Sequence, residues 1–230
     1  MARRTKPLRF IRGGRVELTT TFTPYRMKAD LVVLVADANM KEAMLGLLGR
    51  PSDFDLKPLT AEVLVHPQRD PGCRLHGHEL LRTQQRNYRF ALLMLDHEGS
   101  GAEDQSRASL ETDLEQKLAA SGWSGRSGAI VIEPELETWV WSDSPHVDRI
   151  LGWTRRSPDL RTWLRSKGFL SSGNAKPDRP KEAVEQALWL ARKPRSSAIY
   201  RELAEKVDFT GCQDSSFLKL REMLRKWFGN

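Results

Sequence analysis

Three short apolar runs, each ending in acids, limit what this chain can fold into. The segments 31–36 (LVVLVA), 90–95 (FALLML) and 129–132 (AIVI) are too short for buried helices and show no polar face. Runs of this length, rich in β-branched and large aliphatic residues, suit strands covered on both sides, as in a parallel sheet. The first hands to Asp37, the second to Asp96 and Glu98, and the third to Glu133, Glu135 and Glu137. Between them lie helical patterns. Met40, Ala43, Met44, Leu47 and Leu48 recur at helical spacing behind a possible cap at Asn39, and 103–119 forms a charged amphipathic stretch. Strands alternating with helices predict the α/β class, with a mostly parallel sheet flanked by helices. Such sheets place ligands at their carboxyl edge, so acids at several strand ends are expected to converge there.

The remaining chain divides around this core. Residues 1–26 read as a basic arm followed by an edge strand at 15–23, and 27–143 as the α/β core, with a further short strand at 62–65. A helix is expected from His76 to Gln85. Past Asp143 the strand signal ends. Helical patterns at 145–151, 158–167, 181–192, 196–206 and 214–228 predict an all-helical region, 144–230, packed on the core; the last carries Phe217, Leu220, Leu224, Trp227 and Phe228 on one face.

Asp96 and Glu98 are two residues apart, so a continuing strand would direct both carboxylates to one side, with Gly99-Ser100-Gly101 letting the backbone approach a ligand. One reading is an oxygen-rich site for Mg²⁺ or Mn²⁺; the other is a solvated turn that caps the next helix. The acids around Pro134 equally suit the positive end of a helix that starts there. His76-Gly77-His78-Glu79 has the look of a zinc pair, but the intervening glycine and the absence of a cysteine partner favour solvated or capping histidines.

Charge extends the expectation to partners. The chain carries a net +7, and Arg3, Arg4, Lys6, Arg9, Arg12 and Arg15 crowd the first fifteen residues without an acid. That arm suits a phosphate backbone, or serves as a solubilising terminus. No stretch reaches the roughly 18 apolar residues of a membrane helix, and the N-terminus lacks a signal peptide's apolar core, so a cytoplasmic location without membrane contact is expected. Cys73 and Cys212 fit no zinc spacing and are expected to be reduced.

The order of these motifs resembles the TOPRIM fold of topoisomerases, primases and overcoming-lysogenization-defect nucleases. Glu135-Leu136-Glu137-Thr138-Trp139 ending at Asp143, then Pro180-Lys181, Tyr200, Cys212 and Phe217, are similar to a TOPRIM-like bacterial family often encoded beside defence genes. The resemblance implies a Mg²⁺ or Mn²⁺ site in a nuclease or phosphotransfer protein that acts on nucleic acid, beside a partner ATPase or other defence subunit. Asp37 stands at the first acidic position, for metal binding and acid/base work, and Asp96 and Glu98 at the Asp-x-Asp metal ligands. Glu135, Glu137 and Lys181 stand at the later catalytic positions. Two features depart from the family pattern: Asp37-Ala38 replaces Glu-Gly, and the metal pair encloses His97 and ends in Glu98. A non-catalytic subunit that binds nucleic acid or assembles with others is the alternative implied.

Overall fold

The computed structural model describes residues 27–209 and 211–230, together with two strand fragments, β1 (Ile11–Arg12) and β2 (Arg15–Val16), which pair antiparallel. Arg3, Arg4, Lys6 and Arg9, and all but the first two residues of the edge strand expected at 15–23, lie outside the described residues. Of Arg12 and Arg15 only the backbone pairing is described.

The sheet consists of β3 (Ala29–Val35), β4 (Ala61–Val65), β5 (Tyr88–Asp96) and β6 (Ser127–Ile132). All pairings are parallel and the order is β4-β3-β5-β6. Residues 31–35, 91–95 and 129–132 are entirely buried, which is why these strands read as unbroken apolar runs. The path from β3 to β4 moves one way across the sheet, and the return to β5 crosses back over β3. Right-handed crossovers then set the helix α1 (Ala38–Leu48) on one face and α2 (Arg69–Arg82) with α3 (Arg107–Leu118) on the other. The order reverses between β3 and β5, and the carboxyl end of that gap is where open α/β sheets form a crevice.

Helix starts differ from expectation in two informative places. Asp37, not Asn39, caps α1, its Oδ1 accepting the Met40 amide at 2.8 Å. Helix α2 begins at Arg69, seven residues before His76, because Pro71 and Gly72 fall in its first turn, where a missing amide costs nothing. Gly77 then faces the sheet so closely that a Cβ would meet Leu93 Cδ1 at 2.7 Å. Helix-to-sheet contact therefore explains the glycine between the two histidines. His76 turns instead to Glu79, at 3.3 Å.

The C-terminal region forms α4 (Glu137–Val140), α5 (Pro145–Ile150), α6 (Leu160–Ser166), α7 (Pro180–Leu190), α8 (Ser197–Lys206) and α9 (Ser215–Phe228). Pro134 does not open a helix as expected; α4 starts three residues later and lasts one turn. Helix α9 buries Phe217, Leu220, Leu224 and Phe228 and stacks Trp227 on Phe90 of β5, with ring centroids 4.9 Å apart. Helix α8 lies on α1 across Gly46, where a Cβ would come 2.7 Å from that of Ala204. At the β6 edge, the outward amides of Ala129 and Val131 donate to Glu115 Oε1 (3.2 Å) and Glu111 Oε1 (3.0 Å) of α3. Lys219 of α9 holds both carboxylates, at 2.7 Å and 3.1 Å.

Candidate functional site

Three successive strand-to-helix junctions each deliver an aspartate to the reversal point of the sheet. Asp37 follows β3, Asp70 opens α2 after β4, and Asp96 ends β5. All three line one cleft of about 530 Å³, with Glu98, Glu135 and Lys181; Arg69 and Arg179 belong to the same wall. Each aspartate commits one oxygen to a backbone amide: Asp37 to Met40, Asp70 Oδ1 to Asp96 N at 2.8 Å, and Asp96 Oδ1 to Leu136 N at 2.9 Å. The Asp70 bond ties the second junction to the third and the Asp96 bond ties the third to the turn after β6, while the Asp37 bond is local to α1.

Their electrostatics are those of crowded acids. Burial, followed by the charges of Asp70, Glu137, Asp37 and Glu135, pushes the Asp96 carboxyl well above the ordinary range. Burial also raises Asp70; the Asp96 amide pulls it back, and Asp37 adds to the rise. Glu135 is buried and raised first by that burial and then by Glu137, with Lys181 opposing. Burial works against the Lys181 ammonium, but Glu135 and Glu137 outweigh it and the net direction is upward. Lys181 is anchored twice on Glu135, through its amide at 2.9 Å and its Nζ at 3.3 Å, while the buried Trp141 indole donates to the Pro180 carbonyl at 3.0 Å. The start of α7 is thereby fixed against the cleft.

The other candidates fall in different places. Glu98 is exposed on the cleft wall, and its side chain makes no hydrogen bond or ion pair among the described residues. Glu137 is not part of the cleft wall. It is buried behind Glu135, where it accepts the Tyr200 hydroxyl at 2.5 Å and lies 3.4 Å from an Arg195 nitrogen. It therefore acts on the site through its charge and through the helices it joins. His97 is buried with Nε2 2.9 Å from the Gln105 carbonyl, and it does not line the cleft.

Asp70 was missed by sequence reasoning. The signal was present, because Asp70 is the first acid after the 62–65 strand, as Asp37 and Asp96 are after theirs. Its setting among Pro67, Pro71 and Gly72 reads as a plain loop.

The donor set is oxygen only, the chemistry that hard divalent cations take. In kind, then, these residues fit Mg²⁺ or Mn²⁺, and a cation would relieve the mutual repulsion that adds to burial in raising Asp70 and Asp96. Among the described residues, however, no three acids, histidines or cysteines are grouped closely enough to hold an ion as they stand. No described helix is long and apolar enough to cross a membrane. Compared with protein-family models, with curated proteins and with solved structures, the chain finds no match.

Proposed function

We propose that this chain is a TOPRIM-like protein that cleaves phosphodiester bonds in nucleic acid with Mg²⁺ or Mn²⁺. The observation that carries the reading is the meeting of Asp37, Asp70 and Asp96, from three consecutive junctions, in one cleft with a fixed ammonium. Asp70, Asp96 and Glu98 would hold the ion, with Asp37 beside them. When bound, the ion supplies charge neutralisation at the scissile phosphate and a more acidic water. Asp37, with Oδ1 engaged by Met40, offers its second oxygen to the proton of the attacking water. Lys181 meets charge developing on the phosphate, oriented by Glu135 and kept protonated by its acidic neighbours. Arg69 and Arg179 on the wall would take flanking phosphates. Service in bacterial defence beside a partner subunit is the setting proposed for this chemistry, on the sequence resemblance alone.

Calorimetric titration of Mn²⁺ into the wild type, Asp96→Ala and Asp70→Ala tests the reading, with plasmid and single-stranded substrates incubated in parallel. Uptake by the wild type, weakened at least ten-fold in both variants together with loss of cleavage, is the expected result. An unchanged Mn²⁺ affinity in Asp96→Ala would sink the assignment. A second reading, a non-catalytic nucleic-acid-binding subunit, is favoured by the failure of the carboxylates to gather around one point. Nucleic-acid binding without any Mn²⁺ uptake would select it.

A further inference from the structure

Three of the four non-glycine residues with left-handed backbone among the described residues are arginines: Arg69 (φ 51°), Arg155 (φ 65°) and Arg192 (φ 54°). Glycine adopts this conformation without strain, and arginine does not. Arg69 already lines the cleft. Arg155 and Arg192 stand on two loops at the other end of α7, both exposed, and neither guanidinium makes a hydrogen bond or ion pair among the described residues.

The two loops form one platform. Lys193 Nζ donates to the Ile150 carbonyl at 2.5 Å, and a Cβ on Gly152 would come within 3.1 Å of the Ala191 side chain. Arg156, on the first loop, spreads over the Trp153 ring at 4.9 Å. Neither 149–157 nor 186–200 contains an acid, and the two acids of α7 along the way, Glu182 and Glu185, are neutralised by Arg179 and Arg195. In the last turn of α7 stands Trp189, 77% exposed, its carbonyl accepting the Arg192 amide at 3.0 Å. A bare indole beside unpaired cations suits stacked bases and phosphates. A second copy of the chain would bring cations against cations, which disfavours self-association through this face.

We infer that single-stranded nucleic acid runs from the cleft along α7 to this platform, with a base stacked on Trp189 and phosphates on Arg155 and Arg192. The inference deepens the cleft reading and rests on it for the strand's other end. The 11 residues of α7 span about 16 Å, room for at most about five nucleotides of a stacked strand.

The test is fluorescence anisotropy of a labelled twelve-nucleotide oligothymidine with the full chain in EDTA, comparing wild type, Trp189→Ala and Arg155→Gly/Arg192→Gly. Each variant is expected to bind at least about five-fold more weakly. The salt slope of the double variant should fall by about 1.4, the share of two phosphate contacts on a single strand. Its melting temperature should hold or rise, since glycine suits both turns, and Mn²⁺ uptake should be unchanged. The proposal is overturned if either variant binds within two-fold of wild type, if a twelve-base-pair duplex binds wild type as tightly, or if Trp189→Ala lowers the sedimentation mass. Oligonucleotide binding without Mn²⁺ uptake defeats the cleft reading alone, and the reverse result defeats the platform alone.

Discussion

Removing a single oxygen from Tyr200 tests whether the buried link between α4 and α8 contributes to stability. In Tyr200→Phe the ring stays and only the hydroxyl at 2.5 Å from Glu137 is lost. Both residues are 2% exposed, so no bulk water replaces the donor. The phenol is held protonated, its pKa pushed up by burial and then by Glu137, so in the wild type it donates. Arg195 remains as partner, but at 3.4 Å, long for a nitrogen donor. A hydrogen bond to a charged acceptor contributes about 1.5–3 kcal/mol, and we expect about 2 kcal/mol here. For a chain of this size that is a fall of about 4–8 °C in Tm. Urea unfolding of wild type, Tyr200→Phe, Glu137→Gln and the double variant should give a coupling of about 1 kcal/mol or more. A loss below about 0.5 kcal/mol in Tyr200→Phe would refute the argument, because the hydroxyl would then be dispensable.

Two further outcomes follow from the same physics. Asp96 has a folded pKa above its unfolded one, so folding takes up a proton there, and stability is lost as pH rises from the unfolded value through the folded one. In EDTA, Asp96→Asn should therefore melt higher than wild type at neutral pH, with the gain vanishing below about pH 4; a pH-independent difference would contradict this. Cys73 is buried and its thiol pushed up by that burial, whereas Cys212 is part-exposed. Ellman titration should count one fast thiol in the native protein and two in denaturant, and two fast native thiols would show the α2 packing to be wrong.

The strands were legible because residues 31–35, 91–95 and 129–132 are buried on both faces, and no helix among the described residues carries so unbroken a buried run. The C-terminal helices were legible from their spacing and their Ser, Asp and Pro starts. What escaped was decided by contacts distant in sequence. Glu137 reads as one more acid in a cluster, yet its partner Tyr200 lies 63 residues away and carries it off the cleft wall. Asp37 reads as a catalytic acid, and its service as the cap of α1 is hidden because Asn39 looks like the better cap. Asp70 was lost because proline and glycine in the first turn of α2 imitate a loop. The glycine that counted against a zinc pair at His76 and His78 has a reason the sequence could not show, its contact with Leu93 across the sheet.

The carboxylates on β6 bear on how this protein meets others of its kind. A strand at the border of a sheet is a template for any extended chain that can add to its free amides. Here Glu111 and Glu115 already occupy the amides of Val131 and Ala129, and Lys219 clamps both acids in place. An incoming strand would have to evict two ion-paired side chains before gaining its first hydrogen bonds. The sheet is thus closed to growth on this side: fibril-like stacking and strand donation are blocked along β6, and β4 at the opposite border is the edge that keeps the template.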